Sequence, residues 1–474
     1  VMARAVNEAL FPGHPYAEES GGDPDFIPDL TYEAYLDFHR RYYHPSNAFI
    51  YLYGDLDMAE RLRYLDENYL SKYERLAIDS AVPAPKPLAA PVSVVRPYSI
   101  GDAESEENAA YVSLNIRVGG QLEPVPYNAF QALDYVLLKA PGAILHDRLI
   151  EEGFGDDVYG GYANGIREPY FQITAKHLRR EQKDAFVCRV RELLTELAED
   201  GLDHEKLLAA INMAEFRARE ANFGSYPKGL MYGLQSFESW IYDGDPCLHL
   251  KFAGLFDALR GKVGDNYFEQ LIREAFLDNP HAALVTLAPS RTLGAERAAA
   301  QAAELAEKKA AMSADEVAEV MRSCAALKAA QEAPDTEEAL RSIPILARSD
   351  IRKDAERLPL EVRDLAGTKV LFSDLETNGI VYLNFYFPMA AVAQEDLPYA
   401  YLLAEMFGAV DTTAHSYAEL AMLRSLYTGG IGADIVAYTR AGEADSLMPR
   451  FKLRAKVLRE NLPRLFELLT EIIG

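Results

Sequence analysis

Nine histidines, His14, His39, His44, His146, His177, His204, His249, His281 and His415, are the residues from which metal-assisted hydrolysis would be built. A hydrolytic zinc centre needs two histidines on one helical face, a third ligand and a carboxylate that activates water. Neither His-x-x-Glu-His nor His-Glu-x-x-His occurs. His39 and His44 fall out of step for a shared helix face and Pro45 follows directly, so both read as structural. No Gly-x-x-x-x-Gly-Lys-Ser/Thr loop is present to cradle a nucleotide. Gly153-Phe-Gly155 and Gly430-Ile-Gly432 lack a third glycine and precede strand-like runs, which makes them turns. Ser225-Tyr-Pro-Lys228 has the Ser-x-x-Lys spacing, but Pro227 breaks the helical turn that would align serine with lysine. Glu151-Glu152 and Asp156-Asp157 are adjacent pairs whose side chains diverge in regular structure. On these residues the chain has no catalytic constellation and no metal site of its own.

Composition narrows the partners. With 474 residues, 49% hydrophobic and 26% charged, the chain has the balance of a globular protein of two to four domains. A formal charge of −25 repels phosphate backbones and anionic lipid, so neither nucleic acid nor membrane is an expected partner. No apolar run approaches the ~18 residues of a spanning helix. The start, Val1-Met2-Ala3-Arg4-Ala5, lacks the apolar stretch of a secretory signal. Cys188, Cys247 and Cys324 make no disulfide framework and share no ligand spacing, which points to a reducing, cytoplasmic setting. An acidic surface also suits cationic peptides, although solubility is the simpler reading.

Positioning elements emerge from internal repetition. Tyr111-Val-Ser-Leu-Asn-Ile116 recurs as Val381-Tyr-Leu-Asn-Phe385, and Pro126-Tyr127 as Pro398-Tyr399. Gly153-Phe-Gly-Asp-Asp-Val158 returns as Gly430-Ile-Gly-Ala-Asp-Ile435. Pro169-Tyr-Phe-Gln-Ile-Thr-Ala-Lys176 returns as Pro449-Arg-Phe-Lys-Leu-Arg-Ala-Lys456, and Glu192-Leu-Leu-Thr-Glu-Leu197 as Glu467-Leu-Leu-Thr-Glu-Ile472. A further match aligns Leu36, Pro45, Ala48, Ile50 and Leu52 with Leu271, Pro280, Ala283, Val285 and Leu287 at one constant offset. Both members read as a helix, a proline break and a strand.

The expected fold class is therefore α+β: tandem repeats of a mainly antiparallel sheet with helices on one face, plus a helical hairpin linker. Residues 1–78 match the end of a unit, and 79–107, with Pro83, Pro85, Pro87, Pro91 and Pro97, form a linker. Residues 108–289 make a complete unit. Residues 290–350 form a hairpin hinged near Met312-Ser313, where Ser313-Ala-Asp-Glu316 is a capping box. Residues 351–474 match the front of another unit. The chain thus reads as an internal piece of a longer protein. Phe171 and Phe451 should occupy equivalent buried strand positions.

Leu10-Phe-Pro-Gly-His-Pro-Tyr16, Glu19-Ser-Gly-Gly-Asp-Pro24, Ile27-Pro-Asp-Leu-Thr-Tyr32 and Phe38-His-Arg-Arg-Tyr-Tyr-His-Pro-Ser-Asn-Ala48 stand in that order. Together they resemble the insulinase/pitrilysin family of zinc peptidases, in its presequence-protease and falcilysin-like branch. Arg167-Glu-Pro-Tyr-Phe171 and Asp243-Gly-Asp-Pro246 add to the resemblance. It implies four homologous units in two halves, and a zinc metalloendopeptidase that encloses and degrades short unfolded peptides. The family's zinc ligands, an inverted histidine motif and a distal glutamate, match no position here and would lie upstream. The Zn²⁺ thus belongs to the parent enzyme, the remaining units of the same polypeptide are the expected partners, and this portion alone is expected to be inactive. Some relatives of the fold lack the metal motif and act as structural or partner subunits, which is the alternative. The loop Ser20, Gly21, Gly22 and Asp23 would border the cleft, the alternative to substrate contact being an ordinary turn that joins two helices, with Val1–Gly22 poorly anchored in the isolated chain or packed in a way foreign to the family.

Overall fold

A computed structural model describes residues 1–140, 142–351, 353–354 and 357–474. The chain divides into two compact units, one of Val1–Tyr98, Ala103–Pro289 and Thr377–Gly474, the other of Ser99–Asp102 and Ser290–Glu376.

In the first unit, α1 (Met2–Leu10) places Ala5, Val6, Ala9 and Leu10 on one buried stripe, the spacing of one helical face. Helices α2 (Tyr32–Tyr42) and α3 (Met58–Asn68) begin at Thr31 and Asp57, whose side chains accept the N–H groups of Ala34 and Glu60. Between them a short turn at Pro45–Asn47 leads into residues 48–53, which run without a ladder partner. The strand expected there is absent. Phe49 and Tyr51 rest instead on rings further along the chain, Phe49 on Trp240 at 4.8 Å and Tyr51 on Phe237 at 6.3 Å.

The stretch expected to be a linker carries β1 (Val92–Ser99). Alternating Val92, Val94 and Tyr98 pack beside α1, and Pro97 is tolerated because β1 is an edge strand. Next come β2 (Ala110–Arg117), α4 (Pro124–Asp134), α5 (Ile144–Glu151), β3 (Asp157–Ala163), β4 (Tyr170–Leu178) and α6 (Lys183–Asp200). Helices α7 (His204–Glu220), α8 (Lys228–Trp240), α9 (Leu255–Lys262) and α10 (Tyr267–Ile272) precede β5 (Ala282–Ser290). The sheet order is β1-β5-β2-β4-β3, with antiparallel pairing of β2 to both β4 and β5 and of β3 to β4. Val112, Leu114, Ile116, Phe171 and Ile173 face the main helical layer. Ala283, Val285 and Leu287 point the other way and bury the stripe of α1 together with Phe11. That packing corrects one half of the expectation for Val1–Gly22, the poorly anchored one: the stripe of α1 is buried against the apolar residues of β5.

The second unit contains α11 (Leu293–Ala311), α12 (Ala314–Glu332), α13 (Glu337–Ser342) and the hairpin of β6 (Glu361–Leu365) and β7 (Thr368–Phe372). The break between α11 and α12 falls at Met312-Ser313, and Ser313 with Glu316 forms the reciprocal cap.

Back in the first unit, β8 (Ile380–Pro388), α14 (Leu397–Met406), α15 (Tyr417–Tyr427), β9 (Gly430–Arg440), β10 (Glu443–Leu458) and α16 (Leu462–Ile473) repeat the order strand, helices, two strands, helix. The order β8-β10-β9 reproduces β2-β4-β3. The ladders also correct two of the sequence matches. Gly430 lies opposite Lys456 as Asp157 lies opposite Lys176, so Gly430 takes the place of Asp157 and not of Gly153. Gly430 and Gly432 are therefore strand residues, whereas Gly155 is a true turn, with φ +88 and a Cβ position 2.2 Å from the Lys176 carbonyl oxygen. Phe385, not Leu383, is the counterpart of Leu114, because the two face Leu453 and Ile173. A slip of one pleat keeps the same face inward, which is why the sequence pattern tolerated it. Phe171 is buried beneath Phe276, with ring centroids 5.0 Å apart, but Phe451 is only half-buried. Residues 379–474 hold no counterpart of the segment Arg273–Leu277 that covers Phe171.

Candidate functional site

The loop Ser20–Asp23 sits at the end of the segment led by α1. Ser20, Gly21 and Gly22 are exposed and Asp23 is half-buried. One Asp23 oxygen accepts the Asp25 N–H at 3.0 Å, and the other pairs with Arg4 at 2.6 Å. Arg4 also bonds Glu8, which Arg96 of β1 reaches from the other side. Burial opposes the Glu8 charge, yet the bonds from Arg4 and Arg96 prevail and hold its pKa below the usual carboxylate value. Gly22 has φ +79 and a Cβ position 3.2 Å from Ile27, so it needs glycine, whereas Gly21 has open space. The loop borders a surface hollow of about 570 Å³ whose walls include Arg4, Glu8, Glu19, Asp23 and Phe26.

Several histidines serve the backbone, whereas His146, His177 and His415 pair with Asp147, Asp156 and Glu471. His14 and His44 each precede a proline and accept the N–H two residues on, from Tyr16 and Ser46, at 3.1 Å. His14 Nε2 donates to the Pro83 carbonyl at 2.8 Å, and His39 stacks on Tyr43 at 4.7 Å. Among the described residues no three His, Cys, Asp or Glu side chains converge as metal ligands.

Sequence reasoning missed a different feature. β3 ends the sheet with β4 on one side only, so half of its backbone N–H and C=O groups point away from any strand. Its centre is Gly160-Gly161, both at positive φ (+156 and +145). A Cβ on Gly160 would lie 2.0 Å from the Gln172 carbonyl oxygen, and one on Gly161 2.8 Å from Asp134. Tyr159 beside them is exposed. Asp134 takes up the Tyr162 backbone on that side, and the rest of such an edge can take an extended peptide as an added strand. The signal available in the sequence was a glycine doublet inside Val158-Tyr-Gly-Gly-Tyr162, where strand formers surround it.

Two family models match the chain: "Peptidase M16 inactive domain" over residues 29–214, and the associated domain of the peptidase M16 family, subgroup C, over residues 287–474. The chain belongs to the M16 peptidase family. Its sequence fits the presequence-protease-like branch of that insulinase family. It is 34% identical to Protein HypA of Clostridium perfringens over 100% of this chain and 49% of that protein. It is 33% identical to the chloroplastic/mitochondrial presequence protease 1 of Arabidopsis thaliana over 99% of this chain and 44% of that protein. The M16 chain thus spans about half the length of the curated relatives it matches. Among solved structures, pitrilysin aligns with 100% of this chain and 49% of its own at 14% identity and a TM-score of 0.44. Among the described residues of this M16 chain, no helix is long and apolar enough to cross a membrane.

Proposed function

We propose that this chain is a substrate-enclosing, non-catalytic portion of a zinc-dependent metalloendopeptidase that degrades short unfolded peptides. The observation that carries the reading is the 33% identity with a presequence protease along 99% of the chain. On this reading the Zn²⁺ is held by residues outside the chain, and the remaining units of the same polypeptide are its partners. The zinc supplies the water-activating chemistry, while this chain binds and orients peptide. The open edge of β3 offers backbone pairing for an extended substrate, and the loop Ser20–Asp23 borders the cleft. Cytoplasmic residence rests on three exposed, unpaired cysteines, whereas several relatives carry organellar names.

A second reading, a structural or partner subunit of the same fold, draws on the "inactive domain" description of the model matching residues 29–214. One experiment separates the two. A fluorescently labelled unfolded peptide is titrated with the purified chain, and cleavage is followed with zinc present. Saturable binding without cleavage is the expected result, several-fold weaker in Tyr159→Ala at unchanged circular dichroism. Cleavage by the chain alone would overturn the non-catalytic assignment, and an absence of binding would favour the structural subunit.

A further inference from the structure

A cavity of about 520 Å³ opens between α4, α7, α8 and the segment leading into α9, lined by no residue of β3 or of the loop Ser20–Asp23, although its wall residue Tyr127 packs on Tyr162 of β3. Its size falls within the roughly 300–1,000 Å³ of small-molecule sites. Tyr135, Phe223, Tyr232 and Phe252 supply ring surface to its walls. Two charges on the same walls are unbalanced. The Glu238 carboxylate accepts the Tyr127 hydroxyl at 2.9 Å and has no cationic partner among the described residues. Arg217 has neither an ion pair nor a side-chain hydrogen bond among them. The neighbouring groups cannot balance Glu238. Lys251 is engaged by Asp245 at 2.7 Å. His249 is packed 4.4 Å from the Tyr127 ring with its Nε2 buried and unpartnered, and burial lowers its pKa, which keeps it neutral.

A half-buried carboxylate without a counter-charge is costly, and burial already raises the Glu238 pKa. A ligand cation would relieve that cost, and a ligand anion would satisfy Arg217. Apolar bulk would lie against the rings of the same cavity.

We propose that this cavity binds a small zwitterion with an apolar side chain, a free amino acid or dipeptide, its ammonium on Glu238 and its carboxylate on Arg217. Such molecules are the product class of peptide hydrolysis. The cavity geometry alone carries the proposal, which stands whether or not β3 binds substrate.

The test is isothermal titration of the 474-residue chain with the dipeptide Leu-Phe, its N-acetyl derivative and its C-terminal amide. Leu-Phe should bind saturably at one site. Each blocked form should bind about tenfold weaker, because each loses one charge-assisted contact. Glu238→Gln retains an acceptor for Tyr127, and Arg217→Gln alters an exposed side chain. Both should keep the fold by thermal melting and lose affinity by a similar factor. Tyr159→Ala should bind Leu-Phe as the natural chain does, so failure of this site and failure of the β3 reading are separable. No saturable binding of Leu-Phe, or equal affinity for the blocked forms or in both charge variants, would overturn the proposal.

Discussion

His281 shows how a residue type associated with catalysis is spent on architecture. It is 2% exposed, its Nε2 donates to the Leu10 carbonyl at 2.8 Å, and its Nδ1 accepts the Leu88 N–H at 3.3 Å. Both nitrogens are committed to one neutral tautomer. Burial, seconded by Arg117, depresses its pKa, against the Leu10 bond and Glu168, which raise it. Since the folded pKa lies below the unfolded value of 6.5, the unfolded chain binds the proton first. Its contribution is fully present above that value and is lost as pH falls through the folded pKa. Urea unfolding at about pH 7.5 and about pH 5.5 should show lower stability at the acid value. His281→Gln should be less stable at the higher pH but lose less on acidification, the residual loss including His249, also depressed by burial. Equal losses in both proteins would remove His281 from the account. The sequence allowed His39 and His44 to be read as structural, because their spacing misses a shared helix face and Pro45 follows, but it was silent on His281. Nor could it show which carbonyl that histidine binds, since Leu10, Leu88 and His281 meet only through the tertiary fold. Phe171 and Phe451 make the same point. Phe171→Ala should cost about 3–5 kcal/mol and Phe451→Ala about 1–2 kcal/mol in chemical denaturation, because only the first is fully enclosed. Equal costs would mean that Phe451 is covered in solution.

Repetition is a property of elements, and it was the part most legible in the sequence. Apolar alternation along β2, β4, β8 and β10 and the shared Glu-Leu-Leu-Thr-Glu of α6 and α16 specify local form, so order and type carried through. Register did not, because a one-pleat slip leaves the inward face unchanged. The segment 48–53 has strand composition, yet strand formation requires a neighbour, and composition is silent on whether one is present. The proline count of 79–107 likewise hid β1, since edge strands admit proline. What joins the two repeats lies beyond any local pattern. Asn212 of α7 donates to the Ser425 carbonyl of α15 at 3.0 Å, and Lys456 of β10 reaches both Glu220 oxygens at 2.8 and 2.9 Å. Burial, with Glu220 close by, pushes the Tyr382 hydroxyl up to about 12. Gly429 is the tight point, as a Cβ there would fall 2.2 Å from the Phe216 ring. Gly429→Ala should force that ring aside and cost about 1–3 kcal/mol, the usual range for overpacking. Thermal melting with Phe216→Leu added should recover part of the loss. No loss in the single variant would mean that α7 and α15 pack less closely than described.

At the scale of the whole molecule, burial is distributed very unevenly. The layers around β2, β4 and β5 enclose Phe130, Phe171, Phe186, Phe268 and Phe276 almost completely. Between residues 291 and 376, by contrast, no described residue is buried, although α11 and α12 are long and well capped. Helices of that kind are held by local propensity and ion pairs such as Lys308 with Glu304, each worth only a few tenths of a kcal/mol. Local opening there costs little, whereas opening the β2–β5 sheet requires exposing the core. Brief digestion with a protease of broad specificity should therefore cut first between residues 333 and 351, after α12 ends, leaving a resistant fragment that contains residues 103–289. Mass spectrometry of the early products reads the sites directly. The order of cutting also bears on the sequence-based boundaries, since the hairpin linker was placed at 290–350 and the complete unit at 108–289. Early cuts inside 108–289, with 291–376 intact, would place the weakest part of the molecule in its best-packed layer. They would refute the assignment of stability to that sheet.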